Sequence, residues 1–118
     1  MSYSRWSDED FQCDVYVYAS EEGWLTHVAT SRRLFTGPFP DPVPISDLEA
    51  WFKRQREVRR LLDRSALVAI GLPHDGQTFV DDTPGGCAGT LEMLRDAGYR
   101  VPAYAIQALA EEQAEMDP

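Results

Sequence analysis

The sequence predicts an α+β fold, in which a small antiparallel sheet of two to three strands packs against one long basic amphipathic helix and two C-terminal helices. Three observations lead to this prediction. An alternating run of β-branched and aromatic residues lies at 14–18. Apolar residues recur at three- and four-residue steps across 46–64. Helix start and stop signals bracket the segment from Thr83 to Gly98.

The length of 118 residues indicates a single domain (1–118), because a chain of this size buries roughly two-thirds of its unfolded surface without disulfides. Within it we expect an N-terminal arm (1–12), a Pro-rich loop (34–45) and a frayed acidic tail (111–118). No apolar run approaches the ~18 residues of a membrane span, and no signal-peptide pattern is present. We therefore expect a cytoplasmic protein, in which Cys13 and Cys87 are reduced and partly buried thiols, with a disulfide between them as the alternative.

The strands are predicted from alternation and composition. DVYVY (14–18) directs its valines and its tyrosines to opposite faces, and a Glu-Glu-Gly turn leads to a second strand, WLTHVAT (24–30). SALVAIGL (65–72) fits a short third strand, which is favoured, or the closing turn of the preceding helix, and Phe79 and Val80 are expected to touch the sheet. These elements make up the small sheet.

The long helix is predicted over Ser46–Arg64. Two prolines hold the preceding chain extended, and Ser46 with Glu49 fits a capping box. The segment is basic, with six of the eleven basic residues of the chain: Lys53, Arg54, Arg56, Arg59, Arg60 and Arg64. One interpretation is a solvated face whose charge is partly neutralised by ion pairs such as Glu49 with Lys53 and Glu57 with Arg60. The other is a binding face.

Two further helices are predicted near the C-terminus. Thr83 is placed as the N-cap and Pro84 as the first helical residue, and Gly98 ends that helix. The last helix begins at Val101-Pro102, and the acids at its end oppose the helix dipole, so we expect its final turn to fray.

Charge is distributed unevenly along the chain. The net charge is −9, and residues 65–118 alone contain nine acidic and two basic residues. This balance disfavours general binding to nucleic-acid phosphates and favours a basic partner. The predicted acidic surface consists of Asp81, Asp82, Glu92, Asp96, Glu111 and Glu112.

Catalytic signals are sparse. Neither His27 nor His74 has a partner at metal-ligand spacing, so no metal, cofactor or catalytic residue is predicted. One polar cluster is expected, joining His74 and Asp75 with Asp81 and Asp82; a turn and a helix cap account for it, and a metal-dependent site is the alternative. Cys87 lies in a first helical turn, where the helix dipole would acidify its thiol, but no base can be assigned to it.

Two stretches carry a resemblance. MSYSRW followed closely by DVYVY resembles the opening of small uncharacterised proteins of bacteriophages and mobile elements, and TLEMLRDAGYRVPAYAIQAL resembles their closing helix, turn and Val-Pro. Related members carry cysteines and histidines that imply a metal site, but Leu94 and Tyr99 stand at the histidine positions here. The resemblance implies an accessory protein that binds a host protein, as inhibitors of CRISPR and other defence systems do.

Three functional hypotheses follow. The first is a non-enzymatic interaction module, an anti-CRISPR-like inhibitor in the bacterial cytoplasm, which docks its acidic surface in a basic groove of a host protein or nucleoprotein complex and blocks nucleic-acid binding. The second is a nucleic-acid-binding accessory protein that uses the basic helix. The third is a small metal-dependent hydrolase at His74 and Asp75. A homodimer through the amphipathic helix is compatible with each, and no membrane partner is expected.

Overall fold

A computed structural model describes residues 2–117 and confirms the α+β class. Within this range the chain forms six strands and four helices, of which the first helix is a single turn. The strands are β1 (Ser2–Ser4), β2 (Val15–Ser20), β3 (Gly23–Val28), β4 (Ser31–Leu34), β5 (Ala66–Ala69) and β6 (Thr78–Asp81). The helices are α1 (Asp8–Phe11), α2 (Leu48–Arg64), α3 (Pro84–Asp96) and α4 (Ala103–Met116).

The main sheet is antiparallel and has four strands within the described range, in the order β1-β2-β3-β6, rather than the predicted two to three. The register places Val17 opposite Thr26 and Thr26 opposite Phe79. Both added strands come from segments that the sequence analysis placed outside the sheet: β1 from the N-terminal arm, and β6 from residues expected only to touch it. The predicted strand at 65–72 is formed over Ala66–Ala69, and it pairs with β4 in a separate two-stranded ladder.

Helices α3 and α4 cover one face of the main sheet. The inward-facing Val15 and Val17 of β2 are fully buried, and so are Leu91 and Leu94 of α3 and Leu109 of α4. Burying a large aliphatic side chain stabilises a fold by about 1.5–3 kcal/mol relative to leaving it exposed, so this layer is the main source of stability.

The caps of the helices follow local side-chain chemistry. Thr83 caps α3 as predicted, because its Oγ1 accepts a hydrogen bond from the N–H of Gly86 at 3.0 Å. Gly98 follows α3 with a φ of +110°, which glycine adopts at little cost. The predicted cap of α2 is wrong by one residue: Asp47 accepts from the N–H of Ala50 at 3.2 Å, so the capping box of Ser46 is not formed.

The N-terminal arm is folded back onto the sheet. Tyr3 in β1 is buried, its hydroxyl donates to the carboxylate of Glu112 in α4, and the indole N–H of Trp24 donates to that hydroxyl at 3.3 Å. Helix α4 continues through Met116, and fraying of its last turn stays a prediction. Met1 and Pro118, at the outer ends of the predicted arm and tail, lie outside the described residues.

The chain divides into two compact units. The sheet unit comprises the residues up to Arg32 together with those from Ala69 onward, and the inserted unit comprises Arg33–Val68. The inserted unit contains α2 and the Pro-rich loop, and its buried side chains on α2 are Val58 and Leu61. The prediction of a single domain, and that of α2 packing against the main sheet, stay predictions.

Candidate interaction surfaces

The two units differ in charge. The sheet unit carries fifteen acidic and four basic side chains, a net charge of −11, whereas the inserted unit carries five acidic and seven basic side chains, a net charge of +2. The uneven distribution of charge along the sequence therefore coincides with the structural division. Each unit presents a surface with a net charge of its own sign.

The predicted acidic residues fall into two groups. Asp82, Glu92, Asp96 and Glu111 are exposed. Asp81 instead accepts a hydrogen bond from the hydroxyl of Thr90 at 2.9 Å, and Glu112 accepts from Tyr3. Of the first four, Glu111 also accepts from Gln107 Nε2 at 3.1 Å, an exposed contact within one helix. These four carboxylates are therefore accessible to a partner, while Asp81 and Glu112 are half-buried and contact other elements.

The elements that place the four available carboxylates are α3, α4 and the link before α3. Glu92 and Asp96 are one helical turn apart on α3, and Glu111 lies on α4, which packs against α3. Arg95 approaches Asp96 at 3.5 Å, but both side chains are largely exposed, and such pairs contribute about 0–1 kcal/mol. The α3–α4 hairpin therefore presents carboxylates that almost nothing in the sheet unit neutralises.

Two acidic residues of the sheet unit beyond those predicted lie near the end of β6. Glu21 and Glu22 form the β2–β3 turn, which the pairing of Trp24 with Asp81 brings beside the end of β6. Gly23 permits this approach, because a Cβ at its position would lie 2.5 Å from the carbonyl oxygen of Asp81. Had residues 78–81 been predicted as a strand next to β3, the sequence would have placed Glu21 and Glu22 near Asp81.

The basic face of α2 is largely free of ion pairs. Lys53, Arg56, Arg59, Arg60 and Arg64 are exposed, and within residues 2–117 none of them lies within ion-pair distance of a carboxylate. Arg54 is half-buried, and its Nε donates to the carbonyl oxygen of Asp41 at 3.1 Å. The predicted ion pairs of Lys53 with Glu49 and of Arg60 with Glu57 are therefore not formed, so the charges of this face are accessible to an anionic ligand.

The turn at His74 and Asp75 and the helix cap after Asp82 are formed as predicted, but the four residues His74, Asp75, Asp81 and Asp82 do not form one polar cluster. The β6 strand separates its halves, since His74 and Asp75 precede Thr78 and the two other aspartates lie at or after the far end of the strand. Three residues of strand span about 10 Å. Within residues 2–117 no group of three or more His, Cys, Asp or Glu side chains is arranged to hold a metal ion.

Asp75 and His74 have local structural partners. Asp75 accepts hydrogen bonds from the hydroxyl of the buried Tyr99 at 2.7 Å and from the N–H of Gly71 at 2.8 Å, and His74 Nδ1 lies 2.9 Å from Gln77 Oε1. Burial alone would raise the pKa of Asp75, but these hydrogen bonds outweigh it and hold the pKa below its ordinary value. This network organises the turn before β6.

The two cysteines are free and buried, as predicted. Burial raises the pKa of each thiol to about 11, so the expected acidification of Cys87 by the helix dipole is wrong: desolvation outweighs it. Cys13 donates to the carbonyl oxygen of Val15, and Cys87 lies 3.6 Å from Thr26 Oγ1. Both thiols are neutral at pH 7 and pack as small apolar groups.

Comparison of the chain with family models, with curated proteins and with solved structures finds no match. No helix in the described part of the chain combines the length and the apolar character needed to cross a bilayer.

Proposed function

We propose that the protein is a non-enzymatic interaction module that binds a basic partner through the carboxylates of the α3–α4 hairpin and Asp82. The observation that carries the proposal is the net charge of −11 on the sheet unit, together with four predicted contact carboxylates that have exposed positions. Complementary charge accelerates encounter and favours the correct partner, and it requires no catalytic residue.

The proposed partner is a bacterial protein or nucleoprotein complex whose groove binds nucleic acid. A groove that accepts phosphates is cationic, so an acidic surface is suited to occupy it and compete with the nucleic acid. The resemblance of the opening and closing stretches to phage and mobile-element proteins is the reason for choosing a defence complex of the host. In this proposal the protein acts as an anti-CRISPR-like inhibitor by occlusion.

The test uses two charge-reversal variants that change the net charge equally. Glu92→Lys/Asp96→Lys/Glu111→Lys alters the proposed surface, and Glu49→Lys/Glu57→Lys/Asp63→Lys alters α2 in the inserted unit. Purified defence complexes are screened for loss of nucleic-acid binding upon addition of the protein. We expect the wild type and the α2 variant to inhibit one of them and the hairpin variant to fail; inhibition by none, or equal loss in both variants, contradicts the proposal.

A second candidate function is nucleic-acid binding by α2. The observation that favours it is the set of five exposed cations without ion pairs on one helix. A gel-shift titration with single- and double-stranded oligonucleotides at ~50 mM salt tests it, because binding through phosphates weakens steeply with added salt. Arg56→Glu/Arg59→Glu should abolish the shift, whereas the hairpin variant should strengthen it by removing repulsive carboxylates.

A further inference from the structure

A groove of about 300 Å³ lies within the inserted unit, between the Pro-rich loop and α2. Its volume is at the lower end of the ~300–1,000 Å³ typical of small-ligand sites. The residues that line it are Pro38, Phe39, Pro40, Glu57, Arg60, Leu61 and Arg64. It therefore combines an apolar wall with two cations and one carboxylate.

The two guanidinium groups are suited to an anion with several oxygens. Arg60 and Arg64 are four residues apart on α2 and so lie on the same side of the helix. The Nε of Arg64 donates to the carbonyl oxygen of Arg60 at 3.3 Å, which holds that side chain along the helix and leaves its terminal nitrogens free. A guanidinium donates two parallel hydrogen bonds to phosphate, and two such groups match a phosphate monoester.

The loop side of the groove is apolar and includes an aromatic ring. Phe39 packs edge-to-face on Phe35, with ring centroids 4.6 Å apart, and this contact limits its motion. Prolines on both sides of Phe39 restrict the backbone torsions of the loop, and the buried Leu61 also lines the groove. A planar ring is the shape that such a surface accommodates with the least rearrangement of the protein.

Glu57 restricts the ligand further. It accepts no hydrogen bond from any described residue, and its negative charge disfavours a ligand that is anionic at both ends. A carboxylate only accepts hydrogen bonds, so the ligand should offer N–H donors on its ring or on an amino group attached to it. A nucleotide combines a phosphate, a planar base and such N–H donors.

We infer that this groove binds a nucleoside monophosphate, free or as the 5′ end of a single strand. The phosphate contacts Arg60 and Arg64, the base lies on Phe39, and the N–H groups of the base donate to Glu57. The site belongs to the inserted unit, and it depends neither on the acidic hairpin nor on the binding of long nucleic acids along α2.

The test is a titration of the full chain with 5′-GMP and 5′-AMP, in which binding is measured from the NMR chemical shifts of the backbone amides. Arg60→Gln/Arg64→Gln removes both groove cations, and Arg56→Gln/Arg59→Gln removes two cations of the same helix that do not line the groove. We expect at least a tenfold loss of affinity in the first variant and less than a twofold loss in the second. Equal losses overturn the inference, because they would show diffuse charge attraction.

Ligand controls test the remaining contacts. Inorganic phosphate and phosphotyrosine should bind at least tenfold more weakly than GMP, because neither offers the N–H donors of a base to Glu57. Phe39→Leu should weaken GMP but leave phosphate unchanged. Phosphotyrosine binding as tightly as GMP, or no saturable GMP binding up to ~10 mM, overturns the assignment. A 5′-phosphorylated trinucleotide compared with its 5′-hydroxyl form distinguishes a strand end from a free nucleotide.

Discussion

The sheet unit and the inserted unit contrast in how they use apolar residues. The sheet unit buries a continuous core in which Val15, Leu91 and Leu109 are inaccessible to solvent. The inserted unit buries Val58 and Leu61 on α2 but leaves Leu48 and Phe52 more than half exposed. Since burial supplies most of the stability of a fold, the difference indicates that one unit supplies stability and the other presents accessible side chains.

The largest effect is expected in the core of the sheet unit. Leu91→Ala removes a fully buried side chain and should lower the free energy of unfolding by about 4 kcal/mol, whereas Leu61→Ala in the inserted unit should cost about 2 kcal/mol because its surroundings can collapse. Urea denaturation followed by tryptophan fluorescence and circular dichroism measures both. Equal losses would contradict the contrast between the units.

A second prediction concerns the buried ion pair of the sheet unit. Asp14 is almost inaccessible, and it accepts from Arg32 at 2.6 Å and from the N–H of Arg100 at 2.7 Å. Asp14→Ala leaves the partly buried guanidinium uncompensated and should cost about 3 kcal/mol. Asp96→Ala, which removes the exposed pair with Arg95, is the control, and we expect it to cost under about 0.5 kcal/mol in the same denaturation measurement.

A third, intermediate effect is expected from the two thiols. In the unfolded chain they titrate near their ordinary pKa of 9.0, whereas in the folded protein burial raises the pKa to about 11. The unfolded state thus releases protons first, and the free energy of unfolding should fall as pH rises from about 9 to about 11. Cys13→Ala/Cys87→Ala should fall less steeply over this range; an unchanged slope would assign the loss to other groups.

Each unit contains a helix with an N-cap side chain, so the loss of the same kind of hydrogen bond can be compared between the units. Thr83→Ala and Asp47→Ala each remove one side-chain acceptor at a helix start and should each cost about 1 kcal/mol. Hydrogen exchange of the backbone amides should show that the two losses of stability affect regions of different size. We expect faster exchange throughout the sheet unit for Thr83→Ala and within α2 alone for Asp47→Ala, because thinly packed regions open locally.

The smallest effect should be that of Arg56→Gln/Arg59→Gln. These side chains are exposed and make no ion pair with any described residue, so we expect the free energy of unfolding to change by less than about 0.5 kcal/mol. Thermal denaturation of this variant measures it. A loss above about 1 kcal/mol would assign the cations to the stability of α2 instead of to ligand binding.

Local chemistry made several elements predictable from sequence. The cap at Thr83 and the stop at Gly98 depend on neighbouring residues alone, and both are found. Ser46 and Asp47 are adjacent residues with equal capping ability, so sequence could not decide between them. The β1 strand could not be predicted either, because its pairing with β2 and the partner of Tyr3 in α4 are set by tertiary structure.

The candidate sites, too, could be predicted from sequence only where they depend on neighbouring residues. The cations of α2 were visible as a run, but whether carboxylates neutralised them depended on rotamers that sequence does not fix. The groove was not predicted, because it forms only where the Pro-rich loop, with Phe39, lies beside the helix that contains Arg60. The polar cluster at His74 is not formed because Phe79 and Val80, expected only to touch the sheet, belong to the strand Thr78–Asp81, which separates the two halves of the cluster.

The contact between Tyr3 and Glu112 bears on how the protein is made. These residues are 109 positions apart, so at roughly 5–20 residues per second a ribosome needs about 5–20 seconds after Tyr3 to synthesise its partner. The inserted unit, continuous from Arg33 to Val68, is complete well before that. We therefore expect the sheet unit to assemble only after α4 has left the ribosome, with its apolar strands exposed to chaperones during the interval.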